Sequence, residues 1–326
     1  MKFGAVELAE AEGAILAHSV QVGSQRLRKG KLLTQEDLTL LQDAGQTTVT
    51  VAQLEDADLG EDAAAAALAS ALAGQGLRVS TAATGRANLF AKGKGIVAVD
   101  AAAIAAVNAV NPMITVATVP QFHRADEDAM VATVKIISYG VASADVDRAA
   151  AAGAGALRLL PPRHSTAALI ETTVGQTPST KGEDALRGRL DRLGLSLAPR
   201  SLVRHEAAAV AGALQDCTED VIFILTASAT SDIADVGPLG LTMVGGAVTQ
   251  FGMPVDPGNL LFLGTLGDRP VIGLPGCARS PALNGADWVL ERVICGVPPT
   301  PADFAQMGVG GLLKEIPTRP KPRAEI

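Results

Sequence analysis

The stretch that decides the fold is "DVIFILTASATSD", residues 220–232. Every position from 221 to 225 is apolar, as in a strand that is covered on both faces. A loop of small hydroxyl residues and carboxylates follows the run. Because helix-like and strand-like segments alternate around it, the sequence predicts an α/β fold with a parallel sheet flanked by helices.

The segments on the N-terminal side of this strand keep the alternation. Leu186, Leu190 and Leu193 share one helical face, and Gly194 ends that helix. In parallel sheets, ligands bind beyond the carboxyl ends of the strands, so the loops at those ends are the candidate sites. The predicted order is a strand at "TAALIETTV" (166–174), a helix at "KGEDALRGRLDRLG" (181–194), a strand at "LSLAPRSLV" (195–203) and a helix at "HEAAAVAGALQ" (205–215).

Composition excludes several classes of function. The chain has 326 residues, is 48% hydrophobic and carries a net charge of -7, which argues against nucleic acid as a partner. It has no apolar stretch of about twenty residues, and the start "MKFGAVELAEAEG" has acids where a signal peptide needs a basic segment. We therefore expect a cytoplasmic protein without a membrane partner. Its three scattered cysteines predict reduced thiols.

Changes in residue composition and in the pattern of predicted elements along the chain predict its domain organisation. In the first segment Thr34 can cap a helix that carries Leu38 and Leu41, and Gly45 ends it. The tract "AAAAGAGALRLLPPRHS" (149–165) is a predicted boundary. The predicted units are a small N-terminal α/β module (1–60), a mixed α+β unit (61–162), the α/β domain (163–298) and a tail (299–326) in which "IPTRPKPRAEI" (316–326) is typical of a linker.

The first candidate loop is "TASATSDIAD", residues 226–235. Small hydroxyl residues at a helix start can direct donors toward an anion, and carboxylates there can hold Mg²⁺. The alternative is ordinary helix capping by Ser231 or Asp232. The candidate residues are Thr226, Ser228 and Thr230 for an anion, and Asp232 and Asp235 for a metal.

The second candidate loop lies in "GMPVDPGNLLFLG", residues 252–264. Pro254 and Pro257 each fix φ, and Gly258 can supply a positive φ, so the turn is rigid. Asp256 sits inside it. A rigid, charged turn predicts a ligand contact, and the alternative is a structural turn with a solvated Asp256.

The third candidate loop lies in "VIGLPGCARSPALNGADWVLERVICG", residues 271–296. A strand meets Pro275 and Gly276, and the sequence predicts Ser280 as the cap of a helix that has Pro281 in its first turn. The amides at a helix start favour a negative group, and Arg279 adds a positive charge. Cys277 in this loop is interpreted as a small hydrophobe rather than a reactive thiol.

In this order the segments resemble the molybdopterin-binding domain shared by molybdopterin adenylyltransferases and molybdopterin molybdotransferases. The resemblance covers roughly residues 163–298, and "LPG" (274–276) is its most specific piece. The pieces "GRANLFA" (85–91), "MVATVKII" (130–137), "GMPVDPGNLL" (252–261), "PGCARSPALNG" (275–285) and "MGVGGLL" (307–313) resemble a bacterial variety in which this region precedes a nucleotidyltransferase domain.

The resemblance implies a three-layer fold and a role in molybdenum cofactor biosynthesis. The ligand would be molybdopterin, its nucleotide form or molybdenum cofactor, and the chain would assist adenylylation or molybdate insertion with Mg²⁺. It also implies a homo-oligomer and a nucleotidyltransferase or molybdenum hydroxylase as partner. The implied ligand-binding residues are Thr226, Ser228, Thr230, Asp256, Gly258, Pro275, Gly276, Arg279, Ser280 and Lys181, with Asp232 and Asp235 as catalytic metal ligands.

The sequence also departs from the family pattern. Thr226 and Ala227 replace the usual glycine pair, and Asp256 stands where molybdotransferases tend to have a basic residue. A carboxylate there favours a pterin N–H or a metal over a second anion. No Walker A loop is present in the chain. Two alternatives therefore stay open: a non-catalytic carrier that serves a separate nucleotidyltransferase or hydroxylase, and an unrelated sugar- or nucleotide-binding enzyme.

Overall fold

The computed structural model describes residues 1–313 and shows a mixed α/β protein with several sheets, one of them mostly parallel. The predicted linker 316–326 lies outside the described residues. The chain forms two compact units: Met1–Gly93 with Val97–Leu159, and Lys94–Ile96 with Leu160 onward. The predicted division at 1–60, 61–162 and 163–298 stays a prediction.

The chain before Leu160 builds small sheets and hairpins. Thr34 caps the first helix in a capping box with Asp37, and Gly45 follows the helix at a φ of 79°, so this predicted helix is confirmed. The strands are β1 (Lys2–Glu7), β2 (Ile15–Leu16), β3 (Val20–Val22), β4 (Gln25–Leu27), β5 (Thr48–Gln53), β6 (Asp58–Gly60), β7 (Leu77–Val79), β8 (Arg86–Ala91), β9 (Gly95–Val99), β10 (Ile114–Thr118), β11 (His123–Ala125), β12 (Met130–Ile136), β13 (Gly140–Ala142) and β14 (Leu157–Leu160). The helices are α1 (Gln35–Asp43), α2 (Glu61–Leu72), α3 (Ala101–Val110) and α4 (Ser143–Ala152), with a 3₁₀ turn at Leu8–Glu10.

These elements pair locally and bury two apolar clusters. The strand orders are β1-β5-β2, β10-β12-β8-β7 and β11-β9-β14, with two-stranded pairs β3-β4 and β13-β6. One cluster contains Leu16, Leu41 and Val51, and the other contains Leu68 and Leu89. The alanine-rich face of α2 lets the helix lie close to β8 and β12.

The chain after Leu160 forms the large sheet. Its strand order is β16-β15-β18-β21-β20-β19, and β17 also pairs with β15. The pairs among β15, β16, β17, β18 and β21 are parallel. β20 pairs antiparallel with both of its neighbours, β21 and β19. The strands are β15 (Thr166–Thr173), β16 (Ser196–Leu197), β17 (Ser201–Arg204), β18 (Val221–Leu225), β19 (Ala247–Phe251), β20 (Phe262–Leu266) and β21 (Arg269–Leu274), and the helices are α5 (Lys181–Asp191), α6 (Ala207–Asp216), α7 (Val236–Met243), α8 (Gly285–Ile294) and α9 (Pro301–Gln306), with a 3₁₀ turn at Gly276–Arg279.

The predicted alternation of strands and helices is thus observed, with small differences. All five residues of β18 are buried, as expected for a central strand that lies between β15 and β21 in the sheet. The predicted strand 195–203 is divided into β16 and β17. Part of the predicted tail forms the short helix α9, which Thr300 caps. Among the described residues no helix combines the length and hydropathy that crossing a bilayer needs.

The register of the sheet brings the three candidate loops to one edge. Leu225 at the end of β18 lies opposite Leu274 at the end of β21. Because β20 is antiparallel, its first residue, Phe262, lies opposite Gly273 at that same end. We call this side of the sheet the carboxyl edge. The loops after β18, before β20 and after β21 all leave from it.

Candidate functional site

Direct hydrogen bonds join the three loops at the carboxyl edge. The Nη2 of Arg279, in the loop after β21, donates to the carbonyl oxygen of Thr226 at 3.1 Å. The backbone N–H of Gly285, at the start of α8, donates to the carbonyl oxygen of Pro257 at 2.8 Å. The loop after β21 therefore contacts both other loops.

Gly258 allows the closest of these approaches. Its φ is 141°, and a Cβ built on it would lie 2.7 Å from the backbone nitrogen of Gly285. A side chain would therefore require both an unfavourable backbone conformation and a shift of the α8 start. Gly276 differs, because a Cβ there meets nothing within 4 Å.

The hydroxyls of the loop after β18 mostly serve the loop itself. Thr226 Oγ1 donates to the carbonyl oxygen of Ser228 at 2.7 Å, and Thr230 Oγ1 lies 3.1 Å from Thr226 Oγ1. Both threonines are buried, whereas Ser228 is exposed. The amides of residues 228–230 make no hydrogen bond to any described residue. These amides and the Ser228 hydroxyl are the donors that the loop can offer to an anion.

The two carboxylates of this loop bind backbone amides. Asp235 is the N-cap of α7: Oδ1 accepts from Val236 N at 2.7 Å and Oδ2 from Ser231 N at 3.1 Å. The expected alternative, a cap at Ser231 or Asp232, is wrong, because Asp235 has the extended backbone next to the first turn. Asp232 accepts from Ala234 N and is exposed. Residues 1–313 contain no group of three or more His, Cys, Asp or Glu that could hold a metal ion.

Asp256 is held by its backbone on both sides. Its N–H donates to the carbonyl oxygen of Gly311 at 2.8 Å, and its carbonyl oxygen accepts from Leu313 N at 2.9 Å. The bond from Asp256 to Pro257 is cis. The C-terminal segment 308–313 therefore fixes the position of the turn, and the Asp256 side chain is half-buried.

The loop after β21 differs from its prediction at the helix start. Ser280 is extended and does not cap a helix; α8 begins at Gly285, and Asn284 is its N-cap in a capping box with Asp287. The Ser280 hydroxyl accepts from Ala282 N, at 3.3 Å. Pro281 lies outside the helix, so both parts of that prediction are wrong.

Arg189, a buried residue of α5, explains why the loop stays out of a helix. Its guanidinium donates to the carbonyl oxygens of Ala278, Ser280 and Ala282 at 2.9 to 3.1 Å and forms a 2.7 Å ion pair with Asp287. In an α-helix, residues i and i+2 lie about 200° apart around the axis, so the carbonyls of residues 278, 280 and 282 could not all face one guanidinium. Arg189 therefore clamps the loop in an open path between β21 and α8.

Lys181 and Gly182 bring the start of α5 to the same place. Lys181 is exposed, and Thr180 makes no capping bond with its side chain. A Cβ built on Gly182 would lie 3.2 Å from Arg279 Nη1. The start of α5 thus lies next to Arg279, and the role of Lys181 stays a prediction.

Sequence reasoning missed Glu171, which forms an ion pair with Arg279. Glu171 has 0% exposure near the end of β15 and pairs with Arg279 and with Arg200, the latter at 2.7 Å. The signal was a carboxylate in an otherwise apolar strand, since ionisable residues are rarely fully buried unless paired. The neighbouring Thr172 was also missed; its Oγ1 accepts from Ala227 N at 2.8 Å and contacts His205 Nδ1 at 2.9 Å.

The cysteines of the described residues show no sign of an activated thiol. All three are free. Burial raises the pKa of Cys217 to about 11 and the pKa of Cys295 to about 12. Both are therefore protonated thiols at neutral pH.

Comparisons with known proteins identify similar folds at low similarity. Residues 5–53 match a family described as "Domain of unknown function (DUF8806)". No curated protein matches the chain in sequence. The similar solved structures are a molybdopterin biosynthesis MoeA protein from Pyrococcus horikosii (12% identity, TM-score 0.30, 94% of this chain and 77% of that one), a molybdenum cofactor biosynthesis protein B (13%, 0.29, 40% and 88%) and a molybdenum cofactor biosynthesis protein from Pyrococcus furiosus (12%, 0.27, 92% and 66%).

Proposed function

We propose that the carboxyl edge binds molybdopterin or its nucleotide form and that the protein acts in molybdenum cofactor biosynthesis. The observation that carries the proposal is that three loops with the family-like motifs lie at one edge. Hydrogen bonds from Arg279 and Gly285 connect them. The motifs are those that resemble the molybdopterin-binding family. Polar loops beyond the carboxyl ends of parallel strands are the usual ligand sites of such sheets.

The phosphate end of the ligand has donors on two of the loops. The amides of residues 228–230 and of Gly276 have no hydrogen-bond partner among the described residues. Ser228 adds an exposed hydroxyl, and Arg279 and Lys181 add positive charge. We propose that these groups bind the phosphate, because backbone amides and guanidinium groups together favour an anion.

The pterin end would lie against the Asp256 turn. A carboxylate accepts hydrogen bonds, and the edge of a pterin offers several N–H donors in parallel. The backbone bonds to Gly311 and Leu313 hold Asp256 in place before a ligand arrives. Pre-positioning of this kind reduces the ordering that binding would otherwise require.

Two carboxylate side chains suit Mg²⁺ that arrives with the phosphate. Asp232 and Asp235 supply hard oxygen donors on one short loop, and Mg²⁺ commonly takes one or two protein carboxylates together with substrate phosphate oxygens. We propose that these two aspartates would hold the ion. Bound there, it would supply charge neutralisation for phosphoryl chemistry.

A carrier function is the second candidate. The observation that favours it is that both aspartates already bind backbone amides of their own loop. A module that only holds the cofactor needs no metal site. Self-association, a three-layer arrangement, cytoplasmic location and a nucleotidyltransferase or hydroxylase partner also stay proposals.

Anaerobic isothermal titration with molybdopterin tests the binding proposal. We expect saturable binding, weakened about 10-fold or more in Asp256→Asn, the size of one charge-assisted hydrogen bond. The matched control is Asp268→Asn, the same charge change in an exposed turn between β20 and β21. Absence of binding to the natural chain would end the proposal.

Incubation with molybdopterin, Mg-ATP and molybdate then separates enzyme from carrier. Formation or consumption of AMP-molybdopterin, followed by mass spectrometry, identifies the enzyme. Binding without turnover identifies the carrier. Loss of turnover but not of binding in Asp232→Asn would assign the metal role to that loop.

A further inference from the structure

Glu171 is the one fully buried carboxylate among the described residues, and two guanidinium groups converge on it. Arg279 comes from the loop after β21, and Arg200 comes from the chain between β16 and β17. Two cations around one carboxylate form a polar network inside the protein. Burying charged groups costs desolvation free energy, so we ask what each member of this network contributes.

Arg200 uses this network to hold the chain. Besides Glu171, it contacts the carbonyl oxygens of Ser179 at 3.0 Å and Pro178 at 3.2 Å, and its Nε lies 3.3 Å from Glu183. Its side chain is 13% exposed. These contacts take up most of the donors of a guanidinium, so Arg200 serves the structure.

Arg279 differs from Arg200 in how many of its donors the protein uses. Among the described residues, its side chain contacts Glu171 through Nη1 and the Thr226 carbonyl oxygen through Nη2. These use fewer donors than a guanidinium has, and its side chain is 30% exposed. Gly182 lies against the same group, since a Cβ there would approach Arg279 Nη1 and lie 2.6 Å from Leu225 Cδ2.

We propose that Glu171 is a positioning residue of the ligand site, which fixes Arg279 so that its remaining N–H donors face the anionic group of the ligand. The inference rests on the proposed function, because it concerns the same site. It adds a residue that does not touch the ligand and acts through Arg279. An arginine that is ordered before binding loses less side-chain freedom when it meets an anion.

A double-mutant cycle on molybdopterin affinity tests the inference. We expect Glu171→Gln to weaken binding about 3- to 10-fold, the cost of ordering one long side chain on binding. In the Arg279→Gln background the same change should have an effect of less than about 2-fold, since contacting residues are not additive. A merely structural role for Glu171 would give equal effects in the two backgrounds.

A second pair of variants perturbs Arg279 without removing a charge. Gly182→Ala places a methyl group 2.6 Å from Leu225 Cδ2 and 3.2 Å from Arg279 Nη1, so both side chains must shift and binding should also weaken. Gly188→Ala lies on the same helix with nothing within 4 Å of its Cβ position, so it should leave affinity unchanged. This pair keeps the test valid if Glu171→Gln does not fold.

The outcomes separate the two proposals. Additive effects in the cycle, tighter binding by Glu171→Gln, or equal affinity of Gly182→Ala and Gly188→Ala would overturn the role of Glu171 while leaving molybdopterin binding intact. No binding by the natural chain would overturn the proposed function, and the role of Glu171 with it.

Discussion

The two edges of the large sheet use polar groups in opposite ways. At the amino edge, where β15 and β18 begin, the Asp220 carboxylate accepts from the amides of Ser165 and Thr166 at 2.8 and 3.0 Å. Arg269 there donates to the carbonyl oxygen of Cys217. At the carboxyl edge, the amides of residues 228–230 have no partner among the described residues. At the amino edge this carboxylate and this arginine both bind backbone groups of the fold. At the carboxyl edge, a run of three amides lies near an arginine that is 30% exposed.

This difference is our reason for proposing the ligand site at the carboxyl edge and not at the amino edge. Each edge has a carboxylate and an arginine. A carboxylate that backbone amides already satisfy is explained by the fold alone. Amides without a partner among the described residues, near a partly exposed guanidinium, are the groups to which the proposed ligand would bind. Each prediction below therefore compares a change at the carboxyl edge with a matched change elsewhere, or examines the amino edge itself.

The largest expected effect comes from Arg189→Met. The change leaves Asp287 as an uncompensated buried charge and releases the carbonyl oxygens of the loop after β21. Breaking one partner of a buried pair costs about 3–5 kcal/mol, so we expect a loss of that size in the free energy of unfolding by urea. The control is Arg187→Met on the same helix, which removes an exposed pair with Glu183 and should cost about 0.3–0.5 kcal/mol. Similar losses in both variants would contradict the clamp.

Gly258→Ala should have the next largest effect. A φ of 141° is unfavourable for alanine, and the added Cβ meets the backbone nitrogen of Gly285. We expect a loss of about 2–3 kcal/mol in the free energy of unfolding. Gly276→Ala, on the same edge but facing open space, should change stability by less than about 0.5 kcal/mol. Equal stability of the two variants would show that the turn does not depend on the close approach of Gly258 to the backbone of Gly285.

Arg279→Gln compares the two edges directly. Loss of its charge-assisted bond should weaken molybdopterin binding about 10- to 100-fold, measured by titration. Arg269→Gln removes the same charge at the amino edge and should leave affinity within about 2-fold, because screening limits distant charges. Equal weakening by both changes would mean that net charge, and not the site, controls binding.

The sequence predicts the elements of this region well and its tertiary polar contacts poorly. Apolar runs such as β18, and the leucine face of α5, follow from local periodicity. The loops that leave the carboxyl edge follow from strand order, because parallel strands end on the same side. Glu171 does not follow, since its partners come from loops 29 and 108 residues away.

The start of α8 shows the same limit in a single loop. Ser280 followed by Pro281 is an ordinary helix-start signal, and nothing nearby in sequence excludes it. Arg189 lies about ninety residues earlier and holds the carbonyls of Ser280 and Ala282 in a non-helical arrangement. The helix begins instead after Asn284, whose side chain forms a capping box with Asp287. A long-range contact therefore decides a helix start that the local sequence predicts wrongly.

The smallest expected effect belongs to the amino edge and depends on pH. Hydrogen bonds from the backbone of Ser165 and Thr166 lower the pKa of Asp220 from 3.8 to about 2. A carboxyl whose pKa is lower in the folded state stabilises the fold above its unfolded pKa, and this stabilisation is lost as the pH falls from about 4 to about 2. Since Asp220 is partly exposed, we expect Asp220→Asn to cost only about 1 kcal/mol at pH 7.

Urea unfolding of the natural chain and of Asp220→Asn at several pH values measures this difference. The two curves should be separated at pH 7 and should converge toward pH 2, because protonation then removes the same charge that the substitution removes. Ligand affinity at neutral pH should be unchanged, since the amino edge has no part in the proposed site. If the difference in unfolding free energy between the two chains stays constant down to pH 2, the shape of the Asp220 side chain and not its charge stabilises the fold. If Asp220→Asn loses ligand affinity, the two edges are not independent.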